Sequence, residues 1–492
     1  MRTVRQISTG RWWAAAGVGL IFAAASAASA EEKTYPGKHV NVVCDFDDPA
    51  VGKAALAAAE AAWDKAAELM GVKSPPLKER RKLYIYETIT GYEDAERERT
   101  NGVFAKNLAF SCHNPRESHV VLQPVMNEAV RKRVGLPEMT RRLIVHEIAH
   151  LCRYEYSENR KVHPRWYSDG LAWAVEAVLV DGPAKTEISA NPPYIGGCIA
   201  YGKKLLERGQ LPDLEAVFTD HFGKLDDSQR YTVTYLVTGF MNQESPGWLA
   251  KFAKEDGGRK PGDDYADHMG GFALKLLGGD TDKANAKFKK FITGLKWDWH
   301  ERFRSLEQHP KGWLQLAFAD ANALAWKSPQ VLPPFVIEGK AEFLPSEVQQ
   351  MNVLLEGNDD GYLSVAMTAG SGVKLFRYDQ RKNEWTTHGE TQVDAIKAGK
   401  PFAFKVRCEK LKIIVEIEGK KVLEVTRESP MLRGLWGVGM QAGGGGIWHD
   451  VKFSVPGGGK GASIADKADK SDDKPTKGES AKEKGKGGKK GA

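Results

Sequence analysis

The sequence has little cysteine and pairs none of it: Cys44, Cys112, Cys152, Cys198 and Cys408 lie far apart, with no CxxC. That spacing excludes a structural zinc knuckle. In an oxidising compartment it permits one or two disulfides, and the odd count leaves at least one thiol unpaired within a monomer. A second long apolar run is lacking as well. The single such run, residues 12–25, follows Arg2, Arg5 and Arg11 and leads to Ala28-Ser29-Ala30. It is shorter than the about 20 residues that a membrane helix needs, and the order of charge, apolar stretch and small residues is that of a secretory signal peptide. The expectation is a secreted or periplasmic chain that starts near Glu31 after cleavage and carries no integral membrane segment. No cysteine stands at the cleavage point, so no lipid anchor is expected there.

Surplus charge is missing where a folded domain would carry it. The formal net charge is +7; three of those charges are the signal arginines and four are the excess of ten lysines over six acids in residues 457–492, which leaves residues 31–456 neutral. A nucleic-acid partner, which calls for a basic patch on a folded domain, is not expected. The segment 457–492 is Gly, Lys, Ser, Asp and Glu with almost nothing apolar. It buries too little surface to fold and reads as a disordered, solvated tail.

At 492 residues the chain has room for two or three domains. From residue 35 to 299 the pattern mixes a few strands with many helix-like stretches, beginning with the alanine-rich amphipathic segment 51–70. Strands are predicted at 82–87, 104–111 and 119–123, all before the main helices, which argues an α+β domain over residues 31–310. Residues 311–334, ending in Leu332-Pro333-Pro334, read as a linker. Beyond it, alternating strands are predicted at 351–355, 362–367, 374–378, 402–407, 412–417 and 422–426, separated by turn signals such as Gly357-Asn358-Asp359 and Glu418-Gly419. Short strands at this density predict an all-β sandwich over residues 335–456.

The chemistry lies in the run Val145-His146-Glu147-Ile148-Ala149-His150-Leu151. On a helix, His146 and His150 are four residues apart, so both imidazoles leave the same face and can grip one tetrahedral ion. Ile144, Ile148 and Leu151 line another face at i, i+4 and i+7, as a buried helix requires. Glu147 sits one residue round from His146, within reach of a metal-held water without being a ligand. This is the HExxH arrangement of metallopeptidases. Catalytic zinc takes three protein ligands and an open position, so two histidines are one short.

Downstream, Trp166-Tyr167-Ser168-Asp169-Gly170-Leu171-Ala172 resembles the Trp-x-x-Glu-Gly-aliphatic-Ala helix of the gluzincin branch of zincin metallopeptidases, with Asp169 where that family has glutamate. Eighteen residues separate His150 from Asp169, the separation that aminopeptidase members of the branch show. The resemblance implies a zincin-like domain holding Zn2+ by His146, His150 and Asp169, with Glu147 as general base in hydrolysis of a peptide or protein substrate by a zinc-activated water. Aspartate is one methylene shorter than glutamate, so the second helix must come closer to the metal or the coordination must loosen. An alternative leaves Asp169 to cap or orient and gives the third position to Glu176, seven residues on. A third reading is a site that has lost activity, which makes the chain a non-catalytic secreted glycan- or surface-binding protein on a peptidase-like scaffold.

The metzincin pattern would need glycine at 153 and histidine at 156, where Arg153 and Tyr156 stand. His113, His163, His221 and His268 lack ligand spacing. Relatives in the gluzincin branch add a tyrosine or histidine as an oxyanion donor, and Tyr231 and Tyr235 are the candidates here. An edge strand before the active helix takes substrate in such folds by β-augmentation, a role open to 104–111 or 119–123. The β-rich part resembles concanavalin-like or laminin-G-like jelly rolls, above all in Leu435-Trp436-Gly437-Val438-Gly439-Met440 and Ile447-Trp448-His449-Asp450-Val451-Lys452-Phe453, read as a closing strand pair. The resemblance implies a glycan ligand for this domain, and a sandwich with no ligand stays open beside it.

Overall fold

The computed structural model describes residues 32–73, 77, 79–104, 107–122, 128–156, 164–180, 195–222, 225–258, 265–295, 299–302, 306–309, 311–317, 322–358 and 361–456. The expected signal peptide and tail, and His163, lie outside the described residues.

The N-terminal part opens with β1 (Lys33–Pro36), β2 (Val40–Cys44), α1 (Pro49–Leu69), β3 (Arg81–Tyr86), α2 (Ile89–Thr100), β4 (Ala109–His113) and β5 (Arg116–Val121). The sheet order is β1-β2-β3-β5-β4. Its centre, β2, β3 and β5, is parallel, and β1 and β4 are antiparallel edges. This differs from a strands-then-helices plan, because α1 is a crossover between two parallel strands. The strands β1 and β2 have four and five residues, too short for alternation to announce them. The crossover helix starts where Asp48 accepts hydrogen bonds from the amides of Ala50 and Val51, both at 3.2 Å, with Pro49 preset for the first turn. Its alanines, Ala55, Ala59, Ala62 and Ala66, are fully buried and let it lie close against the sheet and the helices behind.

Nine helices among the described residues follow: α3 (Glu128–Val134), α4 (Glu138–Tyr156), α5 (Arg165–Leu179), α6 (Ile195–Glu207), α7 (Leu214–Phe218), α8 (Asp227–Glu244), α9 (Trp248–Gly257), α10 (Tyr265–Leu276) and α11 (Thr281–Gly294). One hydrophobic core runs from β2 and α1 through α4, α5 and α8 to α11.

The C-terminal part is an all-β sandwich of β6 (Trp299–Arg302), β7 (Leu306–His309), β8 (Gly312–Leu316), β9 (Ala323–Val331), β10 (Phe335–Phe343), β11 (Gln350–Asn358), β12 (Gly361–Thr368), β13 (Gly372–Asp379), β14 (Glu384–Thr391), β15 (Phe402–Cys408), β16 (Lys412–Ile417), β17 (Lys420–Thr426), β18 (Gly434–Met440) and β19 (Gly445–Ser454). One sheet has the order β17-β16-β15-β10-β19-β8-β7, the other β14-β13-β12-β11-β18-β9-β6. Leu363, Val365 and Met367 of β12 point inward to meet Phe404 and Val406 of β15 in a common core.

Two expectations are corrected. Residues 311–334 are not a linker: β8 and β9 lie within them, and β6 and β7 carry the sandwich back to Trp299, inside the span assigned to the first domain. Pro329 interrupts the β9 pattern and the four-residue β6 and β7 are too short to read, so this end of both sheets is hidden in the sequence. The closing strands are also no pair. β18 bonds β11 and β9, whereas β19 bonds β10 and β8 in the opposite sheet. Cys44, Cys112, Cys152 and Cys408 are all thiols rather than disulfides.

Candidate metal centre

Two helices build the site. In α4, Ile144, Ile148 and Leu151 are fully buried in the core, which rotates His146 and His150 toward α5. Glu138 in the first turn and Arg153 in the last complement the helix ends. The N-terminus of α5 is held from outside its own helix. The carboxylate of Asp220 accepts the Arg165 amide at 2.6 and 2.9 Å, and Trp166 donates its indole N–H to the Phe218 carbonyl at 3.1 Å. Trp166 is fully buried and stacks on Trp248 with centroids 5.3 Å apart. Gly170 lets α5 close in: a Cβ there would stand 2.9 Å from the Thr238 hydroxyl and 3.1 Å from the Trp248 ring.

The structure brings His146, His150 and Asp169 together, with one donor atom of each within 4.8 Å of the others. The Asp169 Oδ1 lies 3.6 Å from the His150 Nε2. The Nδ1 of His146 bonds the Glu176 Oε1 at 2.7 Å, and the Nδ1 of His150 bonds the Ser168 hydroxyl at 2.8 Å. With both Nδ1 atoms engaged, the Nε2 atoms face the common point. This pattern of outer hydrogen bonds fixes tautomer and ring orientation in metal-binding histidines. Two imidazole nitrogens and a carboxylate oxygen are a donor set that suits zinc. Glu176 lies outside this group of three and stands behind His146, with Arg142 3.8 Å from its other oxygen.

Glu147 is buried beside the group, and its Oε2 accepts the Ser111 hydroxyl at 2.6 Å. The Tyr231 hydroxyl is 3.5 Å from His146 Nε2, while Tyr235 packs its ring on Trp173, 5.1 Å centroid to centroid. Of the two tyrosines, Tyr231 faces the group. Between the two candidate edge strands, β4 is the sheet's outer strand and β5 is interior, between β3 and β4. The segment 119–123 is thus corrected as an edge. Neither of the described isolated histidines joins the site: His221 bonds Thr219 and His268 bonds Glu255. The ring of His113 lies outside the described side chains. Ser111 and Ser168 left no trace in the linear pattern, because a serine in a strand or helix carries no signal of what it will meet.

Charge in this buried group is finely opposed. Burial raises the Glu147 and Asp169 carboxyls above the usual carboxylate range, against the lowering pull of His146 on both. Burial disfavours the imidazolium of His146, yet the hydrogen bond and charge of Glu176, helped by Glu147 and Asp169, outweigh it and raise its pKa. The Nδ1 of His150 meets a neutral hydroxyl where that of His146 meets a carboxylate, and burial together with the charge of His146 drives His150 well below the ordinary histidine value.

No protein-family model matches the chain, and no curated protein matches it. Among solved structures, the chain is similar to a carbohydrate-binding module, CBM66, from Bacillus subtilis, at 12% identity and a TM-score of 0.29, over 32% of this chain and 95% of that one. It is similar to sheep galectin-11 at 14% identity and a TM-score of 0.22, over 30% of this chain and all of that one (100%). A protein of unknown function with a galectin-like fold, also from Bacillus subtilis, matches at 11% identity and a TM-score of 0.25, over 32% of this chain and 88% of that one. Likenesses this weak assign neither family nor ligand. No helix among the described residues is long and apolar enough to cross a membrane.

Proposed function

We propose that the chain is an exported zinc-dependent peptidase of the gluzincin kind, in which His146, His150 and Asp169 hold the metal and Glu147 is the general base. The observation that carries this reading is the convergence of the three donor atoms within 4.8 Å while both Nδ1 atoms are tied up by Glu176 and Ser168. A zinc ion held there supplies Lewis-acid chemistry to water and to a substrate carbonyl. The carboxylate of Glu147 takes the proton of the attacking water and returns it to the leaving amine. Tyr231 donates its O–H toward the oxygen on which charge develops. Among the described residues no strand pairs with the outer edge of β4, and that edge aligns an extended peptide by main-chain hydrogen bonds. Export rests on the arginines, apolar run and small residues at the N-terminus.

Zinc content of the purified protein, with mass spectrometry of cleavage products from casein, tests the reading; a protein that holds no zinc, or that holds zinc and cleaves no casein, refutes it. Replacing Glu176 with glutamine is expected to weaken zinc binding about 10–100-fold, because His146 loses the charged acceptor that orients its ring. Competition with a chelator measures this, and an affinity equal to the wild type would remove Glu176 from the site.

For the sandwich we propose a neutral polysaccharide as ligand, whether or not the first domain is active. Since Leu363, Val365 and Met367 face the core, Tyr362 and Ser364 lie on the outer face of the sheet. There Trp385, 51% exposed, packs on Tyr378 at 4.5 Å, Tyr378 on Tyr362 at 5.5 Å and Tyr362 on Trp326 at 5.5 Å. Along the same face Gln350 bonds Asn352 and Gln441 at 3.2 and 2.9 Å. Over a buried layer of Tyr362, Ser364 and Asn352, the exposed ring of Trp385, the half-buried rings of Tyr378 and Trp326 and the half-buried amides of Gln350 and Gln441 match the apolar faces and hydroxyls of a sugar. Trp385→Ala is expected to cut retention in affinity gels containing laminarin, xylan or chitin about tenfold, roughly 1.4 kcal/mol. Wild-type protein that migrates unretarded in all three gels would count against a saccharide ligand.

A further inference from the structure

The second-row contacts of the metal group fall on α5, but the contact to the base comes from the sheet. Ser111 of β4 and Ser118 of β5 are register partners across the antiparallel ladder, so their side chains leave the same face. Their hydroxyl oxygens are 2.7 Å apart. The Ser111 Oγ is also 2.6 Å from Glu147 Oε2 and 3.0 Å from the Glu147 main-chain oxygen. The Ser118 Oγ is 3.4 Å from that same main-chain oxygen.

Each hydroxyl has one proton to give. A carboxylate oxygen is the strongest acceptor on offer and makes the shortest of these contacts, so Ser111 donates to Oε2. Its lone pair then accepts the Ser118 proton across the 2.7 Å gap. The result is a directed chain, Ser118 to Ser111 to Glu147, in which each donated bond strengthens the next. Ser118 is fully buried, so its part in the chain is shielded from bulk solvent.

The terminal torsion of a glutamate is broad and nearly two-fold, so packing alone leaves the plane of the carboxylate loosely set. A single strong donor on Oε2 fixes it and commits the other oxygen, Oε1, to the reacting water. We propose that Ser111, backed by Ser118, is the positioning residue of the general base, a role that rests on the hydrolase reading given above. Ser111 itself touches neither metal nor substrate in this scheme. Because it belongs to the edge strand, the same element that would align the peptide also sets the base, and the two are registered to each other by one rigid ladder.

The test uses the full chain carrying Ser111→Ala and, separately, Ser111→Thr, which keeps the hydroxyl and suits a strand. Crystal structures of the wild type and both variants report the orientation of the Glu147 carboxylate. Zinc content and the kinetics of casein hydrolysis are measured alongside. Ser111→Ala is expected to keep its zinc, to show Glu147 rotated or split between orientations, and to lose about tenfold in kcat with KM unchanged, the mark of a lost orienting contact. Ser111→Thr is expected to restore both the orientation and the rate. A Glu147 that stays put in Ser111→Ala, with kcat at the wild-type level, overturns the proposal. Equal impairment of the alanine and threonine variants also overturns it, since that is what a packing role predicts. Should wild-type protein bind zinc and cleave no casein, the peptidase reading fails while the crystallographic comparison still decides the role of Ser111. If Ser111→Ala does not fold, Ser118→Ala removes the backing donor instead: about threefold in kcat with a loosened Glu147 is expected, and no change in either overturns the chain.

Discussion

Glu147→Gln is expected to retain the full zinc content of the wild type and to hydrolyse casein about 10²–10⁴-fold more slowly, the usual worth of a positioned general base. Glutamine keeps the size and the hydrogen-bond acceptor that Ser111 meets at 2.6 Å, but it takes up no proton from water. His146→Ala is its necessary companion. It removes one of three converging donors and leaves Glu176 buried, 3% exposed, without the imidazole it holds. Zinc is expected to be lost outright along with hydrolysis. The pair separates metal binding from catalysis, because only the first variant keeps the metal. Full casein turnover by Glu147→Gln would exclude Glu147 as the base. Hydrolysis that survives in zinc-free His146→Ala would exclude the metal centre.

Trp166→Ala is expected to destabilise the N-terminal part by about 3–5 kcal/mol. Trp166 is fully buried against Phe218, Trp248 and Phe252, with centroids 4.7, 5.3 and 5.1 Å away. Truncation opens a cavity and also orphans the Phe218 carbonyl, which the indole N–H satisfies at 3.1 Å. Thermal unfolding should move down by about 10 °C. Because Trp166 sits one turn before Asp169, zinc affinity should fall with it, as α5 loses the packing that sets its approach to α4. A melting temperature within a degree or two of the wild type would show that the tryptophan of this motif is not what seats the helix.

Much of the candidate site is visible as a pattern because helices turn sequence spacing into spatial spacing. His146 and His150 share a face since they are four apart, and Ile144, Ile148 and Leu151 define the opposite, buried face. Asp169 became a candidate through its framing by Trp166 and Gly170, and the reason for that framing is now physical: Trp166 fills the core and Gly170 admits Thr238 and Trp248. In the sandwich, strands with clean alternation were legible. Residues 402–407 and 412–417 lie in β15 and β16 as expected, and β15 alternates buried and half-buried along its whole length. Where alternation is short or broken nothing marks a strand, so β6 and β7 read as part of the first domain and β8 and β9 as linker.

The sequence by itself singled out the candidate side chains His146, Glu147 and His150, through a local period of about 3.6 that acts within one helix. Only the tertiary structure decided what surrounds them. Glu176 meets His146 across 30 residues and Ser111 meets Glu147 across 36, by packing helix on helix and helix on sheet. No local period encodes such contacts, because they arise where separate elements bury their apolar faces against each other. That burial also sorted β18 and β19 into opposite sheets: each follows the neighbours that complete its ladder, not its neighbour in the chain.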